Sequence, residues 1–258
     1  MSPRSTGPLV SIVVPVLDEA AALPGLLDHL AELDGRFEVV VADGGSSDAS
    51  AEVASAHPIA PRVVTVRGRA RQLNAGAEAA GGEAFVFLHA DTRLPDDAYA
   101  SLCAALRDFD VVGGNFALRF GGADRFSRVL GTWYAGQRRL GIYYGDSAIW
   151  ARRRVFDALG GYRDLAIMDD YDFVRRLERR GRTACLPGPA VTSARRWQRI
   201  GLPRTIASCV TPSKDGSTWS PQFMWFSSRT GTSQGPLTNM ARCPLVNSGS
   251  AFSSVGSR

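Results

Sequence analysis

The chain has 258 residues, 45% apolar and 21% charged, with four cysteines and a formal charge of +5. That length sustains a hydrophobic core without metal or disulfide staples, and Cys103, Cys185, Cys209 and Cys243 stand too far apart for a C-x-x-C pair or a zinc ribbon, so a reducing, cytoplasmic setting is expected. The charge does not mark a nucleic-acid binder: residues 1–206 hold 26 arginines against 24 acids, and beyond them Lys214, Arg229, Arg242 and Arg258 face only Asp215.

Residues 1–8 read as a flexible start. The apolar run behind them, 9–17, is interrupted by Ser11 and Pro15 and is too short for a signal peptide or a spanning helix. No other stretch reaches the roughly 18 apolar residues of a membrane span, so any membrane contact is expected to be peripheral, at the inner face of the plasma membrane. Apolar, β-branched runs at 9–16, 37–42, 62–66 and 84–88 predict strands covered on both faces, because a sheet buried on both sides demands continuous rather than alternating apolar residues. Between the first two, Leu23, Leu26, Leu27, Leu30 and Leu33 fall on one helical face, with Pro24 in the first turn and Gly35 as the stop. Alanine-rich helices are predicted over 49–56 and 69–80. This strand–helix alternation predicts a parallel α/β sheet with right-handed crossovers.

From residue 96 the alternation loosens. A helix is predicted over 96–108, an extended segment over 111–120, a helix over 124–140 and a strand over 142–151. A short helix over 153–159, a Gly160-Gly161 turn, a helix over 169–180 and strands at 183–186 and 190–194 follow. Past Ile206 the composition shifts to Ser, Thr, Gly and Pro, with no apolar period. Residues 207–258 therefore read as a low-order tail, and the abrupt break suggests a non-native reading such as a shifted frame.

Ligands of parallel α/β sheets bind outside the carboxyl ends of the strands. There stand Asp18-Glu19, then Asp43-Gly44-Gly45-Ser46-Ser47-Asp48, then His89-Ala90-Asp91-Thr92. Each cluster has a plain alternative as helix capping or turn chemistry, yet capping does not explain why carboxylates recur at one edge. Gly44-Gly45 is not a Gly-x-Gly-x-x-Gly fingerprint and no P-loop sequence exists, which disfavours a dinucleotide site and excludes a P-loop NTPase.

Residues 12–19 (IVVPVLDE), 39–48 (VVVADGGSSD), 68–76 (GRARQLNAG) and 87–94 (FLHADTRL) resemble the N-terminal half of glycosyltransferase family 2. The segments GDSAI at 145–149, LGGY at 159–162, MDDYD at 168–172 and SARRW at 193–197 extend the likeness over 9–206, taken as one catalytic domain. FLHADT and SARRW are most similar to a bacterial branch described as arsenosugar-biosynthesis-type. The resemblance implies a GT-A fold, a Rossmann-like mixed sheet flanked by helices, and transfer of a sugar from a nucleotide-diphosphate donor to a hydroxyl acceptor with inversion. It implies that Asp43 meets the nucleotide base, with Pro15 and Glu19 on the same wall and Arg71 or Asn74 nearby. A carboxylate accepting an imide N–H suits uracil or thymine better than a purine, and a UDP-sugar is expected.

Asp91 falls at the family's Asp-x-Asp position and is implied to hold Mg²⁺ or Mn²⁺, hard ions that suit a carboxylate with phosphates. His89 departs from that pattern and reads as an ordinary strand-end histidine. Asp169-Asp170 matches the family's acidic pair, whose second member is implied to be the catalytic base; the plainer reading is two acids at a helix N-terminus. Arg196 and Trp197 resemble a family motif that contacts diphosphate or acceptor, though Ser193 replaces its glutamine, which argues against processive synthesis. The arginines at 152–154, 175–176 and 179–180 read as solvated faces, or as a membrane-facing patch. The competing non-enzyme reading is a degenerate nucleotide-sugar-binding scaffold, and a sugar-1-phosphate nucleotidylyltransferase is disfavoured because its glycine-rich N-terminal loop is missing.

Overall fold

The computed structural model describes residues 7–122, 125–139, 143, 145–165 and 168–193. Within them the order is β1 (Val10–Val16), α1 (Leu23–Glu32), β2 (Phe37–Asp43), α2 (Ser50–Ala56), β3 (Arg62–Thr65), α3 (Arg69–Ala79), β4 (Ala84–Phe87) and β5 (Thr92–Arg93). It continues with α4 (Ala98–Leu106), β6 (Val111–Gly121), α5 (Arg125–Arg139), a 3-10 turn (Gly145–Ser147), β7 (Ile149–Arg152), α6 (Arg153–Leu159), α7 (Asp169–Glu178) and β8 (Arg182–Ser193).

One eight-stranded sheet runs β3-β2-β1-β4-β7-β6-β8-β5. Its first four strands are parallel; β7 runs antiparallel to β4 and β6, β6 is parallel to β8, and β5 is antiparallel to β8. Because β7 is reversed against both β4 and β6, β6 and β8 point the same way as β1, β2, β3 and β4, and these six strands deliver their carboxyl ends to one edge, while β5 at the far edge is reversed.

Both faces are covered, which is why β4 is apolar throughout and β1 is apolar apart from Ser11. Val10, Ile12, Val14 and Val16 of β1 join Leu23, Leu26, Leu27 and Leu30 of α1 and Leu102 of α4 in one core. Val13, Val40, Phe85, Phe87 and Ile149 face Leu73 of α3, Phe156 of α6 and Phe173, Val174 and Leu177 of α7 in the other. Each buried leucine of α1 contributes about 1.5–3 kcal/mol by leaving water.

Several expectations are corrected. β3 is an edge strand with Arg62 and Thr65 exposed, so it is not covered on both faces. The strand expected over 142–151 is confined to Ile149–Arg152, because Gly145–Ser147 turns as a 3-10 helix before it. The two strands expected at 183–186 and 190–194 form one strand, β8. Its register on β6 shifts between Phe116 and Ala117, where Pro187 and Gly188 are skipped, since a proline removes a ladder donor and a bulge absorbs the extra residues.

The arginine runs are not simply solvated faces. Arg152 is buried and donates to the carbonyls of Leu106, Asp108 and Val111. Arg153 donates to Ala80 and Gly82 and lies 4.5 Å over the Phe85 ring. Arg176, also buried, takes Asp172 and the carbonyls of Leu159 and Gly161. These guanidinium groups satisfy loop carbonyls that would otherwise be orphaned.

Candidate active site

The site is assembled from loops at the carboxyl edge. After β1 the chain passes Leu17 and Asp18, and after β2 it passes Gly44 to Asp48; the two loops are hydrogen-bonded to each other. Asp18 accepts from the Ser47 amide (2.7 Å) and hydroxyl (3.1 Å), its own amide donates to Ser46 Oγ, and the Glu19 amide donates to Ser50 Oγ at 2.9 Å. The Ala20 amide donates to Asp48, whose carboxyl the Ser50 hydroxyl holds below the ordinary carboxylate range. Ser46 and Ser47 therefore join the strand loops, and Asp48 does so while also accepting the Ser50 amide at the start of α2 at 3.0 Å.

Asp43 is buried at the end of β2. Its carboxylate accepts the Gly45 amide at 2.9 Å, the Ser46 amide at 3.1 Å and the Ser46 hydroxyl. Three donors fix its orientation and leave lone-pair capacity for one more. Pro15 sits beside it, paired in register with Ala42. Gln72 of α3, which sequence reasoning passed over, donates to the carbonyls of Val16 and Ala42 at 2.8 and 2.7 Å and so ties the ends of both strands together.

Arg71 is exposed and paired with Asp164 at 2.7 Å. Asn74, expected beside the donor, clamps a loop: its amide nitrogen donates to the Tyr162 carbonyl and its oxygen accepts the Tyr162 amide, both at 2.8 Å. The clamp explains the Gly160-Gly161 turn, since Gly161 has φ +67 and a Cβ there would stand 2.4 Å from Asn74 Oδ1.

At the centre lies a charged cluster that the sequence only half disclosed. Arg69, the first residue of α3, sets Nη1 2.6 Å from both oxygens of Asp169, and its Nη2 lies 3.1 Å from His89 Nε2. A guanidinium can only donate, so His89 Nε2 is the acceptor and Nδ1 carries the proton, facing Asp146 at 3.4 Å. Burial pulls the Arg69 pKa down, but Asp170 and Asp169 outweigh it and raise the net value, so Arg69 stays charged. Asp170 begins α7 beside Asp169, and its Oδ2 takes the Gly145 amide at 2.7 Å while Oδ1 takes the Tyr171 amide at 2.8 Å. Beneath them Tyr162 is buried, stacked 4.4 Å from Phe173; burial, reinforced by both acids, raises its pKa well above 10.0. Sequence reasoning missed Arg69 because an arginine opening an alanine-rich helix carries no local sign of a partner a hundred residues away.

Asp91 follows β4. It is half-buried, and its carboxylate makes no hydrogen bond or ion pair with a described residue. Among the described residues no group of three His, Cys, Asp or Glu could hold a metal by itself. Arg195, Arg196, Trp197 and the tail at 207–258 lie outside the described residues. A cleft of about 740 Å³ lined by Phe109, Arg154, Arg180 and Arg182 opens at the amino ends of β6 and β8, the opposite edge, and is no part of this cluster.

Comparison with known proteins bears on the family and the fold. The profile of Glycosyl transferase family 2 matches residues 11–160. A PGL/p-HBAD biosynthesis glycosyltransferase of Mycobacterium bovis is 30% identical over 203 residues, spanning 72% of this chain and 73% of the relative. An undecaprenyl-phosphate 4-deoxy-4-formamido-L-arabinose transferase of Pseudomonas aeruginosa is 35% identical, over 58% of this chain and 49% of its own. Among solved structures, the mannosyltransferase PcManGT of Pyrobaculum calidifontis, in complex with GDP-Man and Mn2+, superposes with a TM-score of 0.56 at 25% identity, covering 75% of this chain and 59% of that one. S. aureus TarS 1-349 in complex with UDP-GlcNAc gives 0.57 at 14% identity, over 72% and 58%, a likeness of fold. With its family profile matched over more than half its length, and with a mixed sheet gathering acidic loops at one edge, the chain belongs to glycosyl transferase family 2 and is a transferase of GT-A fold.

Proposed function

We propose that this protein is an inverting hexosyltransferase that moves a sugar from a nucleotide-diphosphate donor, a UDP-sugar, to a hydroxyl acceptor, working at the cytoplasmic face of the membrane as a peripheral protein. The observation that carries the reading is the division of labour between two adjacent acids. Asp169 is spent on Arg69, whereas Asp170 is oriented by two backbone amides and keeps lone pairs for a proton.

Pro15, Glu19, Asp43 and Arg71 form the donor wall, with the one open acceptor position of Asp43 suited to a uracil N–H. Asn74 serves that wall indirectly, by fixing the Tyr162 loop. Asp91 fits a divalent ion shared with a diphosphate: its carboxylate is uncommitted, and Mg²⁺ or Mn²⁺ commonly takes one or two carboxylates with substrate phosphates rather than a full protein cage. His89 is not a second ligand, because its Nε2 lone pair faces Arg69. Bound there, such an ion supplies Lewis-acid stabilisation of the leaving diphosphate. Asp170 takes the proton of the acceptor hydroxyl as that oxygen bonds to the anomeric carbon, and the electron pair of the breaking C–O bond leaves on the diphosphate oxygen. Arg196 and Trp197 are assigned to diphosphate or acceptor contact on the family motif alone.

The test is calorimetric titration with UDP, UDP-sugars and their GDP counterparts, with and without Mn²⁺, on wild type, Asp91→Ala and Asp170→Asn. Metal-dependent binding that Asp91→Ala abolishes and Asp170→Asn retains, with turnover in Asp170→Asn lowered about 100-fold or more, is the expected result. Folded wild type that binds none of these donors would sink the reading in favour of a degenerate scaffold.

A further inference from the structure

Among the described residues the exposed large apolar side chains are Leu17 (57% exposed), Val129 (50%), Trp133 (38%) and Leu165 (45%), on segments that follow β1 and β6 or precede α7, and Phe109, just before β6. Val129 and Trp133 stand one turn apart on α5. This helix follows the carboxyl end of β6 and is held to it by Ser127 Oγ donating to the Gly121 carbonyl and by the Phe120–Tyr134 ring contact at 5.1 Å. Ser127, Leu130 and Tyr134 face inward. The outward arc presents Arg125, Val129 and Trp133 along one i, i+4 ridge, with Arg128 and Thr132 beside it.

Charge decides what kind of partner fits that arc. Between Arg125 and Arg139 the sequence holds four arginines and no acid. Arg125 and Arg128 are exposed, and neither makes an ion pair with a described residue. Many arginines elsewhere in the fold are held by carbonyls or carboxylates, but Arg67, Arg93, Arg107, Arg119 and Arg179 are not, so what distinguishes Arg125 and Arg128 is their place beside an exposed valine and tryptophan on one helix. A helix with an aromatic and aliphatic ridge, flanking arginines and no acids suits the headgroup layer of an anionic bilayer: the indole sits at the interface, and each guanidinium meets lipid phosphate. A second protein surface would have to be acidic and concave to match, and an unpaired basic helix gives no reason for such a shape.

We infer that α5 is the surface by which this transferase docks onto anionic membrane, laying Val129 and Trp133 into the headgroup layer and turning the mouth of the site toward the lipid. The inference deepens the peripheral-membrane part of the proposed function. It is read by binding without turnover, so its failure would leave the transfer chemistry standing.

The experiment is co-sedimentation of the full chain with phosphatidylcholine vesicles, with and without phosphatidylglycerol. It compares wild type, Arg125→Gln/Arg128→Gln and Val129→Ser/Trp133→Ser, each first shown to melt like wild type, as substitutions at exposed positions should. Wild type is expected to bind only the phosphatidylglycerol vesicles, and more weakly as salt rises. The arginine variant loses about 25-fold in affinity, since each interfacial arginine is worth about a factor of five; the Val129/Trp133 variant loses binding and the tryptophan emission shift. Three results overturn the inference. These are folded wild type that ignores anionic vesicles, variants that bind them as well as wild type because another segment is the anchor, and variants that change self-association of the chain instead of vesicle binding.

Discussion

Asp169 and Asp170 are neighbours in the chain and open the same helix, yet their surroundings assign them different work. Arg69, from a helix one hundred residues earlier, takes both oxygens of Asp169, while the Gly145 amide orients Asp170. Gly145 is itself confined by this arrangement. A Cβ there would stand 2.7 Å from Arg69 Nη2, 2.9 Å from His89 Nε2 and 3.2 Å from Asp170 Oδ2. Gly145→Ala is therefore expected to displace the Arg69 guanidinium and the Asp170 carboxylate together. Turnover should fall about 100-fold, the scale of a mispositioned general base, while the melting temperature moves by only a few degrees. Steady-state kinetics beside a thermal melt checks this, and an alanine variant with wild-type turnover would show that the amide contact does not set the base.

At the scale of elements, α5 contrasts with α1. Helix α1 was legible from its leucine spacing, and Leu23, Leu26, Leu27 and Leu30 are indeed buried. In α5 burial is narrow, and Gly131 and Gly136 stand within the continuous helix although nothing lies within 4 Å of where a Cβ would be. Neither glycine is there for close packing, and each costs roughly 0.5–1 kcal/mol relative to alanine in a helix. Gly136→Ala, at an exposed position, should raise stability by about that amount in urea denaturation. A decrease would mean that the missing Cβ leaves room for something that packs there. β8 teaches a related lesson: its two halves read as separate strands because Pro187 and Gly188 interrupt the pattern, and only pairing with β6 carries one strand across the bulge.

For the whole molecule, the aromatic layer beneath the site links chemistry to stability. Tyr162 packs against Phe87 at 4.9 Å and Phe173 at 4.4 Å, and burial holds its phenol protonated beyond its ordinary pKa of 10.0. The unfolded chain releases that proton near pH 10 and the folded chain keeps it, so above about pH 10 the unfolded state binds fewer protons and stability falls as pH rises. Below the unfolded value the contribution is fully present. Thermal melts across that range should show wild type losing stability more steeply than Tyr162→Phe. Equal slopes would mean that the phenol reaches solvent.

Local pattern sufficed for much of this protein. Apolar runs and leucine spacing placed most of the strands and helices, because burial on both faces of a sheet imposes a composition that can be read residue by residue. Short motifs led to the family, since loops that meet phosphates and sugars draw on few residue types. The reversal of β7, the edge position of β3 and the joining of β8 across its prolines were decided by strand pairing, which depends on partners distant in sequence. The same holds for side chains whose role is a contact. Asn74 turned out to clamp the Tyr162 backbone, Arg152 and Arg176 to satisfy loop carbonyls, and Arg69 to hold Asp169, since a polar residue's work is set by which donors and acceptors folding brings within about 3 Å, and no spacing along the chain encodes that.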